Sequence, residues 1–253
     1  MLSKQQLIQY SDEARKNYLD HVSIDCVVFG FHNGQMKVLL MKAYEEEQWY
    51  LPGGFVLKQE PIDDAATRIL QERTGLNKIF LQQFRVFGDP DRSKFHNDLY
   101  MEMLPVQENW FSGRFLSIGY YALVDFSGVA PQPDEFSELC TWRDLDDMPG
   151  LQLDHELIFK SALDALRLQL NYQPIGYNLM PKDFTMPELQ KLYETILDKK
   201  LDRRNFQRRI LAFGILNRAD KPRKGGAHKA PYLYSFDLEK YTNALTEGFK
   251  GGW

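Results

Sequence analysis

Two glutamates and an arginine stand at spacings that could serve phosphate chemistry. Glu60, Arg68 and Glu72 lie between a Gly-Gly pair at positions 53–54 and a glycine at position 75. The pattern predicts a tight turn, a helix of about four turns that starts near Pro61 or Ile62, and a stop at Gly75. Carboxylates stacked on one helix face supply the oxygen ligands that Mg²⁺ needs to neutralise a diphosphate during attack by water. The spacing therefore first suggests metal-assisted hydrolysis of a diphosphate.

The stretch resembles the Nudix box, which runs G-x5-E-x7-R-E-U-x-E-E-x-G-U, where U is a bulky aliphatic residue. The matching positions are Gly54, Glu60, Arg68, Leu70, Glu72, Gly75 and Leu76. Two carboxylate positions of the box, four residues apart on one helix face, are Ile69 and Arg73 here. Isoleucine offers no oxygen, and arginine places a positive charge where the cation would sit. We therefore expect no metal site, no cofactor and no catalytic residues, with Glu72 pairing with Arg68 and Glu60 complementing the helix start.

A working hydrolase is the alternative from another class of protein. It would use Glu60 and Glu72 with carboxylates from outside the box, such as Asp98 or Glu102, but it would leave a basic C-terminal helix unexplained. An adaptor that binds RNA is a third possibility. The basic residues are not interleaved with an aromatic stacking platform, which argues against RNA.

The C-terminal third has the layout of a DNA-binding unit. Thr185 and Glu188 form a capping box, with Phe184 and Leu189 placed for a hydrophobic staple, and Asp202 caps a second, basic helix. From residue 203 to 229, nine Lys and Arg face one acid, and a strand follows at 231–236. This order predicts a winged helix-turn-helix whose second helix enters the major groove. The predicted DNA-binding residues are Arg203, Arg204, Asn205, Gln207, Arg208, Lys221, Arg223 and Lys224.

The decayed box and the basic tail together make the whole chain similar to the Nudix-related transcriptional regulators. The resemblance implies a former catalytic pocket that senses a small molecule, dimers on palindromic operators, and repression relieved by the ligand. Family members respond to ADP-ribose or to a pentose such as arabinose or xylose. The Trp49-Tyr50 pair and the many carboxylates favour the sugar, since aromatic faces stack on sugar rings and carboxylates accept hydroxyl hydrogen bonds. Arg73, however, leaves a diphosphate possible without metal. The predicted effector-binding residues are Asp25, Lys42, Trp49, Asp91 and Arg92.

The elements that must position these residues form two domains. The predicted fold class is a Nudix-type α/β/α sandwich with a mixed sheet, followed by a small α+β winged helix-turn-helix domain. The predicted boundaries are an N-terminal helix or arm at 1–21, a Nudix-like effector domain at 22–171 and a DNA-binding domain at 178–253. An Asn33-Gly34 hairpin opens the effector domain, and Asp154 caps its last helix. Residues 93–113 have no clear period and are interpreted as an insertion.

Composition fits a protein of the cytoplasm. No apolar run among the 253 residues is long enough to span a bilayer, the first twenty residues are charged throughout, and no signal peptide is visible. Cys26 and Cys140 lack metal-ligand spacing and are expected to be free thiols. Residues 1–171 carry 16 Lys and Arg against 26 Asp and Glu, whereas 172–253 carry 15 against 9. The two ends are therefore expected to meet different partners.

Overall fold

The computed structural model describes residues 4–44, 49–76, 80–92, 109–133, 137–170, 173, 175–222 and 231–247, except the side chains of 220–222 and 245–247. The helices are α1 (Lys4–Asn17), α2 (Ile62–Thr74), α3 (His155–Gln169), α4 (Met186–Leu197), α5 (Arg203–Ala212) and α6 (Leu238–Glu247). The strands are β1 (Tyr18–His32), β2 (Gln35–Ala43), β3 (Trp49–Tyr50), β4 (Gly53–Leu57), β5 (Phe80–Phe87), β6 (Leu116–Val124), β7 (Ser137–Asp144), β8 (Phe184–Thr185), β9 (Leu216–Pro222) and β10 (Tyr232–Phe236). The chain divides into two compact units, residues 1–29, 38–123 and 128–162, and residues 30–37, 124–127 and 163–253.

A seven-stranded sheet forms the centre of the first unit. Its strand order is β3-β2-β1-β6-β5, with β4 also paired to β1 and β7 to β2. Tyr120 of β6 donates to Asp63 of α2, while Phe29 of β1 packs against Phe159 of α3. Because side chains alternate along a strand, Ser117, which contacts β1 on the α3 side, and Tyr120 face opposite sides of the sheet. Helices α2 and α3 therefore cover opposite faces, as the predicted α/β/α sandwich requires.

The glycine turn before α2 is required by close packing. A side chain at Gly54 would lie within 2.9 Å of the Ile69 side chain, and one at Gly53 within 2.8 Å of the carbonyl oxygen of Ile24. The helix buries Ala65, Ala66 and Ile69 against the sheet and ends at Gly75, which adopts φ 71°. Left-handed backbone at this position suits glycine, so the predicted start and stop of this helix are confirmed.

The second unit holds a helix pair and a small three-stranded sheet of order β8-β10-β9. Helix α4 begins with the predicted capping box, in which Thr185 Oγ1 accepts from the backbone N–H of Glu188 and the Glu188 carboxylate accepts from that of Thr185. Phe184 and Leu189 are buried, as expected for the predicted staple. Helix α6 has no counterpart in the sequence-based prediction.

The β1–β2 turn and the end of α3 pack within the second unit. Asn33 and Gly34 both have positive φ, 51° and 78°, as the predicted Asn-Gly turn requires. The carbonyl oxygen of Gly34 accepts from Thr195 Oγ1 at 3.2 Å, and Arg167 Nε donates to the carbonyl oxygen of Ile196 at 2.8 Å. Helix α4 is thus fixed along its C-terminal half by two elements that precede the predicted DNA-binding domain in sequence.

The first strand begins within the segment predicted as an N-terminal helix or arm, residues 1–21. Helix α1 ends at Asn17, and β1 begins at Tyr18. His21 has φ 58°, and the pairing of β1 with β4 shifts register between Tyr18 and Ser23. This irregularity interrupts the alternating pattern by which a strand start is recognised. Most of the predicted insertion, residues 93–108, lies outside the described residues.

Across the part of the chain that the structure describes, no helix combines the length and apolarity needed to cross a membrane.

Candidate functional site

Helix α5 presents a charged surface on one side and a packed surface on the other. Asp202 accepts from the backbone N–H of Asn205 and caps the helix, and Phe206 and Ile210 are buried. The ring of Phe206 meets Tyr193 of α4 edge to face, with centroids 5.3 Å apart. This contact fixes α5 against α4, so that the opposite face of α5 points away from the core.

Three of the predicted DNA-binding residues of α5, Arg204, Asn205 and Arg208, lie on that outer face. At about 100° per residue, Arg203 and Gln207 lie nearer the side of Phe206 and Ile210. Arg203, Arg204, Asn205 and Arg208 are exposed, and Gln207 is half-buried. Arg208 Nη2 donates to Asn205 Oδ1 at 3.2 Å, an arrangement that aligns an arginine with an amide on consecutive turns. Arginine and asparagine are the side chains that read guanine and adenine edges in the major groove. The helix carries no acidic residue.

The hairpin that follows, β9 and β10, is the candidate wing. Its strands pair antiparallel, with Arg218 opposite Tyr234 and Tyr232 opposite Pro222. The guanidinium of Arg218 lies over the ring of Tyr232, with its carbon 4.0 Å from the ring centroid. Of the predicted wing residues, Arg223 and Lys224 lie outside the described residues, and Lys221 is described by its backbone alone.

The Nudix-box residues of the first unit are engaged with one another. Arg68 donates to both oxygens of Glu60, at 2.8 and 2.9 Å, and to the carbonyl oxygen of Phe55 at 2.8 Å. Its Nη1 also lies 3.4 Å from Glu72. Hydrogen bonds from Arg68 hold the pKa of the Glu60 carboxyl below its usual value. The predicted Arg68–Glu72 pair is present, and Glu60 serves mainly to clamp the glycine loop to α2.

The two positions that depart from the box have different surroundings. Ile69 is buried against Gly54, whereas Arg73 is half-buried in the last turn of α2. Among the described residues, no group of three or more His, Cys, Asp or Glu side chains is arranged to hold a metal ion. Neither Ile69 nor Arg73 supplies a carboxylate oxygen, the ligand that a hard divalent cation prefers.

Two of the predicted effector residues, Asp25 and Arg92, meet in a buried ionic cluster on the α3 side of the sheet. Arg92 donates to both oxygens of Asp154 at 2.9 Å and to Asp25 at 3.4 Å, and the Ser117 hydroxyl also donates to Asp25. Burial by itself lowers the pKa of Arg92, but the two carboxylates outweigh that effect and raise it. Asp154, expected to cap α3, thus directs its carboxylate to Arg92.

His155 completes this cluster. Its Nδ1 accepts from the backbone N–H of Leu51 at 3.0 Å, which leaves the proton on Nε2, 3.7 Å from Asp25. Removal from water lowers the pKa of the imidazole. The cluster therefore contains two carboxylates, one guanidinium and a neutral histidine, each with a partner inside the fold. In the sequence, His155 is marked only by its place beside Asp154 at the start of α3.

The other three predicted effector residues do not join the cluster. Trp49 is buried, and the guanidinium carbon of Arg143 lies 4.3 Å from its ring centroid, so this ring face is covered. Lys42 pairs with Trp49 across β2 and β3 and is half-buried. Asp91 is exposed in the turn after β5, where its N–H donates to Asp89. Stacking of Trp49 on a sugar would require Arg143 to move.

A cavity of about 320 Å³ lies on the α2 side of the sheet. Its lining residues are Asp63, Thr67, Leu81, Gln82, Gln83 and Tyr120. Asp63 and Thr67 lie roughly opposite Glu72 around the helix, at 100° per residue. The described lining residues offer amide, hydroxyl and carboxylate groups, and none of them is a cation. It suits a neutral hydrogen-bonding group better than a phosphate.

An aromatic cluster that the sequence analysis missed joins α1 to the box loop. Trp110 packs edge to face on Phe55 with centroids 4.9 Å apart, and its backbone N–H donates to Ser11 of α1. Its ring also stacks on that of His21 at an interplanar angle of 26°, and a side chain at Gly113 would overlap that imidazole. These contacts give the N-terminal helix a packing role. The aromatic content near residue 110 was visible in the sequence, but Phe55, His21 and Ser11 are 55 or more residues away from Trp110.

The fold and these surfaces define a winged-helix protein fused to a Nudix-type domain. Comparison with known families agrees: residues 19–164 match the NUDIX domain, and residues 176–236 match the NrtR DNA-binding winged helix domain. The ADPR responsive transcriptional repressor NtrR of Acinetobacter baylyi is 30% identical over 227 residues, which cover 87% of this chain and 83% of that protein. The chain belongs to the family of Nudix-related transcriptional regulators and is a DNA-binding regulator.

Two further relatives bear on the fold and on the ancestry of the first unit. The crystal structure of Shewanella oneidensis NrtR superposes with a TM-score of 0.72 at 24% identity and covers 92% of this chain and 100% of its own. An ADP-ribose pyrophosphatase of Methanocaldococcus jannaschii is 26% identical over 151 residues, covering 58% of this chain and 78% of that enzyme. The predicted fold class and the predicted family are confirmed. None of these relatives is named for a sugar, so the expected pentose effector finds no support.

Proposed function

We propose that this chain is a transcriptional repressor that ADP-ribose releases from DNA, and that it acts as a homodimer on a palindromic operator in the cytoplasm. The observation that carries the DNA-binding part is the outward basic face of α5, free of acidic residues and fixed to α4 by Phe206 and Tyr193. The effector is inferred from the Acinetobacter relative, which is similar over most of both chains and is named for its response to ADPR.

The Nudix-type unit serves as a binding module in this proposal. Ile69 supplies no metal ligand, and Glu60 is held by two hydrogen bonds from Arg68. Arg73 carries the charge that a diphosphate needs at a position where the box has a carboxylate. We infer that recognition of ADP-ribose requires no divalent metal. The similarity to a pyrophosphatase keeps hydrolysis as the rival, because that enzyme shares the same domain.

The experiment is fluorescence anisotropy of a labelled duplex from the region upstream of the protein's own gene. Protein is titrated at constant ionic strength with ADP-ribose, arabinose or xylose, in Mg²⁺ and in EDTA. We expect selective binding that ADP-ribose alone releases, equally in both buffers. Release by a pentose, release only with Mg²⁺, or turnover of ADP-ribose would each contradict the corresponding part of the proposal.

The double variant Arg204→Ala, Arg208→Ala tests the surface. We expect loss of operator selectivity and at least a tenfold weaker affinity, because each good bidentate base contact contributes about 1–3 kcal/mol. The melting temperature should stay nearly unchanged, since both side chains are exposed. The matched control is Arg85→Ala with Lys160→Ala, which removes two positive charges from the first unit. A large fall in melting temperature of the α5 variant would show instead that these arginines are structural.

A further inference from the structure

Among the described residues, Arg85, Arg143 and Arg218 each lie over an aromatic ring, and Arg218 is the one of the three in the second unit. Arg68 and Arg92 direct their nitrogens at carboxylates, whereas Arg218 rests on an aromatic ring, at 4.0 Å from the centroid of Tyr232. Its side chain is exposed, and no carboxylate among the described side chains lies within ion-pair distance of it. The ring therefore orients its charge, and none of the described carboxylates neutralises it.

The strand register explains this arrangement. Arg218 lies opposite Tyr234 in the β9–β10 ladder, which makes Tyr232 its diagonal neighbour. Diagonal pairs on antiparallel strands are within reach when both side chains are long. Tyr234 is buried and anchors β10, while Tyr232 is only half-buried and leaves its ring to the guanidinium.

A stacked guanidinium keeps its donor edges free. The ring attracts the flat face of the cation, and the N–H groups around the edge remain available for an anion. An oxygen pair of a phosphate matches that planar fork. Ordering the side chain beforehand also reduces the entropy lost when the anion binds.

In the sequence, Arg218 lies just before the predicted phosphate-binding residues Lys221, Arg223 and Lys224. Three residues further along the chain, the stretch 221–229 contains four lysines and arginines and no acid. We propose that Arg218, supported by Tyr232, is a contact of the wing to the DNA phosphate backbone, and that Tyr232 is the positioning residue that orients it. This inference rests on the proposed DNA-binding function. It adds Arg218 as a phosphate contact and Tyr232 as an uncharged residue on which DNA affinity depends.

Four single variants and one double variant test the pair by anisotropy, on the operator and on a scrambled duplex of equal length. Arg218→Ala should weaken binding to both duplexes by a similar factor, about fivefold, because phosphate contacts carry no sequence information. Tyr232→Leu should weaken both by about two- to fivefold, the range expected for an exposed cation–π contact. Tyr232→Phe keeps the ring and should bind as the wild type does, and Arg218→Lys should fall between wild type and alanine.

The double variant Arg218→Ala, Tyr232→Leu distinguishes positioning from an independent role. If Tyr232 acts through Arg218, the double variant binds no more weakly than Arg218→Ala alone. Arg85→Ala is the matched control, since its guanidinium also lies over a ring, Phe87 at 5.1 Å, but in the first unit. Its DNA affinity should not change.

Three outcomes would overturn the inference. They are unchanged affinity of Arg218→Ala, a loss confined to the operator, which would mean a base contact, or fully additive losses in the double variant. Melting temperatures of Arg218→Ala and Tyr232→Phe check that the hairpin remains folded. Failure of the wild-type chain to bind either duplex would overturn the DNA-binding function itself and is seen before any variant is measured.

Discussion

Asp25 and Arg92 show that residue type alone does not distinguish a ligand-binding role from a structural one. Both were predicted to bind the effector, and they do lie together, but each has its partners within the fold and is at least 89% removed from solvent. Replacing one residue of a buried ion pair destabilises the fold, because the remaining charge is left buried without a partner. Their assignment to the effector remains a prediction, and it requires a ligand that competes with Asp154 for Arg92.

His155 gives the cluster a measurable pH dependence. Its pKa in the folded protein lies below the ordinary value near 6.5 because the imidazole is buried. The unfolded chain therefore binds the proton more readily than the folded chain does as pH falls below about 6.5. We expect the free energy of unfolding to decrease over that range, by up to about 1.4 kcal/mol per pH unit, until the folded-state pKa is reached.

Urea denaturation of the wild type and of His155→Asn between pH 7.5 and 5 measures this effect. Asparagine can still accept the Leu51 N–H through its side-chain oxygen but does not titrate. The variant should be less stable at pH 7.5 and should lack this part of the slope. Parallel slopes in the two proteins would show that other groups cause the pH dependence.

At the scale of elements, the helices of the DNA-binding unit begin where local capping rules predict. Thr185 and Glu188 satisfy one another's backbone donors at the start of α4, and α4 in turn supports α5 through Tyr193. The support of the DNA-binding surface thus depends on a cap that makes no contact with the base-reading face.

Thr185→Ala should lower the stability of the second unit by about 1 kcal/mol, since the backbone N–H of Glu188 loses its acceptor. Thr67→Ala is the control. Its hydroxyl donates to the carbonyl of Asp63 within α2, a bond that adds little to helix stability. Thermal unfolding monitored by circular dichroism compares the two. Equal losses would show that the cap is unimportant, while DNA affinity well below the transition temperature should be unaffected in both.

For the whole molecule, charge separates the two ends of the chain. The excess of acids in residues 1–171 and of bases in residues 172–253 concentrates attraction for DNA in the second unit. Neutralised phosphates release counterions, so the binding constant should fall steeply with salt. This dependence also reports how many copies of the chain contact the duplex.

The salt slope of Arg218→Ala tests the proposed dimer. Each phosphate contact contributes about 0.9 to the slope of log K against log salt on double-stranded DNA. If Arg218 contacts phosphate, its loss from both copies of a dimer should reduce the slope by about 1.8, and from a monomer by about 0.9. Sedimentation of the same complexes gives the stoichiometry independently. A monomer-sized complex would contradict the dimer.

The sequence by itself determined the features that depend on short-range rules. The box helix, the capping box, the Asn-Gly turn and the basic second helix each follow from residues within a few positions of one another, and the structure contains all of them. The resemblance to the Nudix box and the basic C-terminal segment together also predicted the family correctly. Helix α6 and the start of β1 were missed. Asp237, which accepts from the backbone N–H of Lys240, was not recognised as the cap of α6, and His21 breaks the strand pattern of β1.

Only the tertiary structure shows which polar residues are held by contacts within the fold. The partners of Asp25 are 67, 92 and 130 positions away, at Arg92, Ser117 and His155, and Arg143 covers Trp49 across 94 positions. Burial and long-range pairing of this kind depend on sheet order and helix packing, which one sequence does not encode in local spacing. The pairing of Arg218 with Tyr232 is likewise set by strand register, and local spacing in the sequence does not show it.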